Sequence, residues 1–145
     1  MTLNLSLYLN GGVLEAEQLC FSPKLPAAIG DALLWGDYLF GTANEGLMCV
    51  AFATGEIKWS HRAVRAASLC LADDRLYAHG ENGEIALIEP SAEGYLERDR
   101  FSPPNQPQRS QPMEKAWAYP VVSHGRLFVR DQQMLWYYDL RASGQ

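Results

Sequence analysis

ALLWGDYLFG, residues 32–41, followed by EGLMCV, residues 45–50, decides how this chain folds. One apolar run ends at Trp35, the pair Gly36-Asp37 interrupts it, a second run ends on Phe40, and Gly46 opens a third. There is no 3.6-residue apolar stripe and no helix cap, so the stretch reads as short strands joined by tight turns. The same order returns as LCLADDRLYA, residues 69–78, and NGEIAL, residues 82–87. Leu39 and Leu76 stand 37 residues apart, and so do Gly46 and Gly83, which holds two landmarks in one register. After a longer gap, PVVSHGRLFV, residues 120–129, and MLWYYD, residues 134–139, repeat the pattern.

Each unit is a strand, a polar or glycine turn, a strand ending in an aromatic, a glycine turn and a third strand, with an outer strand to follow. The apolar runs are nearly continuous, which suits a sheet buried on both faces by its neighbours. A period near forty residues matches the blades of a β-propeller better than leucine-rich or helical repeats. The expectation is therefore an all-β, partial β-propeller of about three four-stranded antiparallel blades. Its parts are a hairpin from a partial blade at 1–28, blades at 29–60, 61–101 and 116–141, a loop at 102–115 and a tail at 142–145. In the hairpin, Leu3, Leu5, Leu7 and Leu9 alternate with polar residues before Asn10-Gly11-Gly12, predicting one buried leucine face. The strand count by unit is two, four, four and three. Closed propellers need four to eight blades, so the chain is expected to be a fragment or a half that associates with a copy of itself. In the second case the Leu3 to Leu9 strand of one copy completes the last unit of another.

The stretch VAFATGEIKW, residues 50–59, resembles the alanine, acidic residue, threonine-glycine and tryptophan signature of pyrroloquinoline-quinone-like (PQQ-like) propeller repeats. The segments from Gly83 to Glu89, at Gly94-Tyr95, and from Ala118 to Asp139 look like carboxy-terminal blades of that quinoprotein-like family. The resemblance covers about residues 27 to 140. It implies that Thr54, Gly55 and Trp59 are blade-docking residues, with Trp59 ending the outer strand and docking it onto the next blade. Phe52 replaces the usual acidic residue, and the second unit has no such tryptophan. The family hosts scaffolds as well as dehydrogenases, so the likeness leaves activity open. One reading is a non-catalytic module that binds a protein or ligand, with no cofactor in this chain. The other is the carboxy-terminal part of a quinone-dependent alcohol dehydrogenase-like oxidoreductase, with PQQ and calcium held by residues upstream. The relatives are often exported, which points to a periplasmic or other extracytoplasmic location.

The residues themselves offer no catalytic constellation. Asp73-Asp74, Glu81-Asn82 and Asp131 fall where the repeat needs turns, which acidic and asparagine residues favour for backbone reasons. His61, His79 and His124 lack metal-ligand spacing and read as solvated or locally hydrogen-bonded. Ser68 and Ser123 lack a nucleophile-elbow setting. Arg62 and Arg65 form either a small basic rim for an anionic ligand or solvated surface. Trp35, Trp117, Trp136, Tyr137 and Tyr138 form either a ligand platform or inter-blade packing. The stretch from Phe101 to Glu114, rich in proline, glutamine and serine, is either a loop crossing one propeller face or an insertion without a role.

Composition narrows the partners. The 145 residues are 48% hydrophobic, enough for a real core. A net charge of −5 repels phosphate backbones, so nucleic acid is not an expected partner. Cys20, Cys49 and Cys70 are too few and too scattered for a disulfide framework and read as buried free thiols. Met1 to Gly12 lacks the basic and apolar regions of a signal peptide, and no stretch is long enough for a membrane-spanning helix.

Overall fold

The computed structural model describes residues 2–22, 32–43, 46–116 and 118–141, all of them strand, turn or irregular connection. Trp117, the 142–145 tail and the side chain of Cys20, all named above, lie outside the described residues. Strands β1 (Thr2–Asn10) and β2 (Val13–Ser22) form an antiparallel hairpin, with Asn10 opposite Val13. Strands β3 (Ala32–Trp35), β4 (Tyr38–Ala43), β5 (Gly46–Ala51) and β6 (Ile57–His61) form a sheet in chain order. Next come β7 (Ala67–Ala72), β8 (Arg75–Gly80), β9 (Ile85–Glu89) and β10 (Leu96–Phe101), again in chain order. A three-stranded sheet of β11 (Val121–Ser123), β12 (Arg126–Asp131) and β13 (Met134–Asp139) follows. Every pairing is antiparallel, and the units hold the expected two, four, four and three strands.

Two apolar seams join the sheets. Phe40, Leu47 and Cys49 of the first sheet meet Leu69, Leu76, Ala78 and Ile88 of the second, and all are essentially buried. On the other face of the second sheet, Tyr77 and Ile85 meet Leu127 and Val129 of the third. Side chains alternate across a strand, so a sheet packed on both sides must be apolar at nearly every position. This is why β8 and β9 read as unbroken apolar runs. The leading strands β3 and β11 both approach β7, so the sheets fan out from a shared line at their first strands.

The tight turns have the backbone geometry their residues suggested. Asp73 and Asp74 both have positive φ, 48° and 53°, as a two-residue hairpin turn requires, and Asp74 also accepts a hydrogen bond from Trp35 Nε1 at 3.0 Å. Asn82 Oδ1 accepts from the Glu84 amide at 3.2 Å, closing the β8–β9 turn.

Two expectations are corrected. The hairpin does not bury its leucine face where side chains are described: Leu7 and Leu9 are 62% and 75% exposed, and Leu14, opposite Leu9, is exposed too. A two-stranded ribbon has no second layer of its own against which to pack such a face. Asp131 is not a solvated turn residue but the buried last residue of β12, paired with Arg109. Of the two readings of His79, solvated or hydrogen-bonded, the structure has the second: its Nδ1 is 2.9 Å from the Ala118 carbonyl oxygen, and it is fully buried because β8 has no solvent-facing side. Cys49 is a buried free thiol, its pKa pushed up to about 11 by burial, and Cys70 is free and half-buried.

Candidate functional site

The connections from one sheet to the next both leave an outer strand and return to a first strand, so both run across the same end of the sheets. The short one, residues 62–66, joins β6 to β7; the long one, residues 102–120, joins β10 to β11. Between them, and beside the β8–β9 turn, lies a cavity of about 650 Å³. Its floor is apolar and buried, made by Val64, Ala78 and Ala86. Its mouth is exposed, with Arg62 and Arg65 on one side and Ser110, Gln111 and Pro112 on the other.

The wall charges are largely satisfied within the protein. Arg100 donates to Glu97 at 2.7 Å, to Glu84 at 3.2 Å and to the Ala63 carbonyl at 3.1 Å, which ties the end of β10 to the first crossover. Hydrogen bonding to Arg100 holds the Glu97 carboxyl below its ordinary range. Lys115 pairs with Glu81 at 3.0 Å, and Arg109 pairs with Asp131. Glu114 accepts from the Ser110 amide at 2.7 Å, bending the long crossover back on itself. Arg62 and Arg65 have no ion pair among the described residues.

The long crossover is a stapled arm rather than a loose insertion. Gln106 Nε2 donates to the Gly83 carbonyl at 3.0 Å, and Trp136 Nε1 donates to that of Pro104 at 2.9 Å. The Ala116 amide donates to the Glu81 carbonyl at 3.1 Å. Two staples reach the β8–β9 turn and the third comes from β13, and the arm becomes one wall of the cavity.

The remaining sequence candidates lie elsewhere. Thr54 and Gly55 make the β5–β6 turn, with Gly55 at φ 72° and Thr54 Oγ1 accepting from the Glu56 amide at 3.2 Å. From β6, Trp59 reaches the second sheet: its Nε1 donates to the Ser91 carbonyl at 2.8 Å, and its ring meets Phe40 and Tyr95 at 6.0 and 6.3 Å. Trp35 and Trp136 pack in different seams, while Tyr137 is 69% exposed on the outer face of β13, so these aromatics do not converge on one platform. His61 stacks on Tyr95 at 4.2 Å, and His124 sits in the exposed β11–β12 turn at φ 50°. Among the described residues no three His, Cys, Asp or Glu side chains group to hold a metal ion, and no helix is long and apolar enough to cross a membrane.

Sequence reasoning singled out Arg62 and Arg65 but not Arg100, Arg109, Glu114 or Lys115. The length and polarity of the 101–114 stretch was the available signal, and it did not specify where the arm would lie.

Similarity to known proteins agrees with this geometry at the level of fold. The crystal structure of BamB from Moraxella catarrhalis, a propeller, superimposes with a TM-score of 0.56 over 75% of this chain, at 18% identity. This chain has a partial β-propeller fold. It spans 32% of that structure's length, and its two four-stranded sheets and its three-stranded sheet are the blades. No protein-family model matches the sequence, and no curated protein is significantly similar to it.

Proposed function

We propose that this chain is a non-catalytic PQQ-like repeat module, incomplete as a ring, that serves as a protein-interaction or ligand-binding scaffold. The observation that carries the reading is the outer face of the third blade. Val121, Leu135 and Tyr137 are 52%, 66% and 69% exposed there, and Phe128 lies against Tyr137 with ring centroids 6.4 Å apart. These apolar side chains share the face with exposed Arg126 and Arg130, and side chains of the same kind on the second blade are covered by a neighbouring blade. An apolar face of this kind is an association surface. Its natural occupant is another blade, from a second copy or from the rest of a larger propeller. Thr54, Gly55 and Trp59 act in this reading as the docking motif that ties the first blade to the second. No cofactor is required. An extracytoplasmic location accompanies the reading, on the likeness of the repeats to exported relatives.

The test is the mass of the purified chain by light scattering across a concentration series. A discrete dimer or higher closed assembly supports the scaffold reading. A monomer at every concentration, with no binding of added propeller partner, overturns it.

A further inference from the structure

We propose that the cavity between the two crossovers, at the end of the second blade, takes a carboxylate-bearing peptide segment of a partner protein, gripped at its mouth by Arg62 and Arg65. The proposal rests on the scaffold reading and specifies the chemistry of what the scaffold binds.

The first support is the state of the cations. Most lysines and arginines among the described residues lie within 4.0 Å of a carboxylate; Arg62, Arg65, Arg126 and Arg130 do not. Two of these four stand at the mouth of one cavity. A paired guanidinium has already committed its donors, whereas a free one offers a planar fork that matches a carboxylate. The chain carries a net charge of −5, so it has no general attraction for anions, and any grip on one must be local.

The second support is the shape and chemistry of the rest of the site. Arg100, Arg109 and Lys115 are held by Glu84, Glu97, Asp131 and Glu81, so the walls give form rather than free charge. The floor of Val64, Ala78 and Ala86 is apolar. A lone small carboxylate at the mouth leaves that floor uncovered, while a peptide carrying both acidic and small apolar side chains covers both regions. The volume of about 650 Å³ suits several residues of chain, and the exposed mouth lets the chain enter and leave. Glu114 is the one lining carboxylate without a cation, on the side opposite Arg62 and Arg65. It repels an acidic group and so directs it to the arginine side. Two free guanidiniums set against one free carboxylate suit monoanionic side chains better than dianionic phosphates.

The experiment titrates the full chain into a fluorescein-labelled hexapeptide of alternating glutamate and alanine, read by fluorescence anisotropy at low and physiological salt. Saturable binding that weakens with salt is expected. Arg62→Gln with Arg65→Gln should weaken it about tenfold. Glu114→Gln, which keeps an acceptor for the Ser110 amide but removes the charge, should tighten it about two- to threefold. All of these side chains except Glu114 are exposed, and thermal melts of each variant should match the parent. The proposal is overturned by absence of saturable binding, by binding indifferent to the arginine pair, or by equal affinity for the lysine-alanine counterpart. Displacement of the peptide by free succinate at an equal concentration overturns the peptide occupant in favour of a small carboxylate. Light scattering on the same samples separates the two readings: lost peptide binding with intact association removes only this proposal.

Discussion

Trp59 and His79 are both side chains in seams between blades, and they answer to different physics. Trp59 Nε1 crosses from β6 to the Ser91 carbonyl at 2.8 Å while its ring packs on Phe40 and Tyr95. Trp59→Phe keeps most of the packing and loses the donor, so it should cost about 1–2 kcal/mol; Trp59→Ala loses both and should cost about 3–5 kcal/mol. Urea denaturation midpoints at constant slope check the pair. His79 is fully buried, with Nδ1 against the Ala118 carbonyl. A carbonyl only accepts, so Nδ1 carries the proton and Nε2 is left without a partner among the described residues. Burial lowers its pKa below the ordinary 6.5; the Ala118 bond and Asp131 oppose this, and Arg109 adds to it. The unfolded chain therefore takes up a proton that the folded chain refuses. Stability from this group is complete above pH 6.5 and is lost as pH falls toward the folded value, by at most about 1.4 kcal/mol per pH unit. Denaturation midpoints at pH 7 and pH 5.5 should differ in the parent, and His79→Gln should flatten the difference. Trp59 was legible because a local motif carried it. His79 and Asp131 were not, because a strand buried on both faces gives no sign of which polar residue has found a partner.

The landmark glycines gain their meaning at the level of whole strands and crossovers. Gly46 and Gly83 both have positive φ, 112° and 87°, and both lie beneath the crossover that leaves their blade. A Cβ at Gly46 would stand 2.1 Å from the His61 carbonyl oxygen and 2.8 Å from that of Val64, both backbone atoms that cannot step aside. At Gly83 the obstacles are Gln106 Oε1 and Arg109 Nη2, the movable ends of long side chains, at 2.8 and 2.9 Å. Gly46→Ala should thus cost about 3 kcal/mol or more and Gly83→Ala about 1–2 kcal/mol, an ordering read from thermal and chemical denaturation. The 37-residue spacing of these glycines was visible in the chain; the crossover pressing on each was not, since strand alternation says nothing of where a connection runs. The Arg109–Asp131 pair shows the same limit. Arg109→Ala leaves a buried carboxylate without its cation and should cost about 3 kcal/mol, while Asp131→Asn keeps a polar partner and should cost less. Limited proteolysis should then cut Arg109→Ala within the 102–120 arm well before it cuts the parent.

Across the whole molecule, blade number and the fate of the terminal face are one question. A blade contacts only its neighbours, so the third blade has one face in a seam with the second and one face carrying Val121, Leu135 and Tyr137 toward solvent. Repeat period and strand count were readable because every blade repeats the same local rules; assembly was not, because those rules are satisfied equally by a blade from the same chain and one from another. Substitution decides between the surfaces that are open. Leu135→Arg with Tyr137→Ser puts charge and polarity on the outer face of β13 without touching Trp136 or Tyr138, which point into the seam. The variant should keep the parent's melting temperature to within a few degrees while its mass in solution falls to that of one chain, since surface changes away from packed features cost little. Leu9→Ser with Leu14→Ser, on the exposed hairpin, should leave the mass unchanged. If the hairpin pair dissociates the assembly and the β13 pair does not, strand exchange through β1 and β2 holds the copies together, and blade stacking does not.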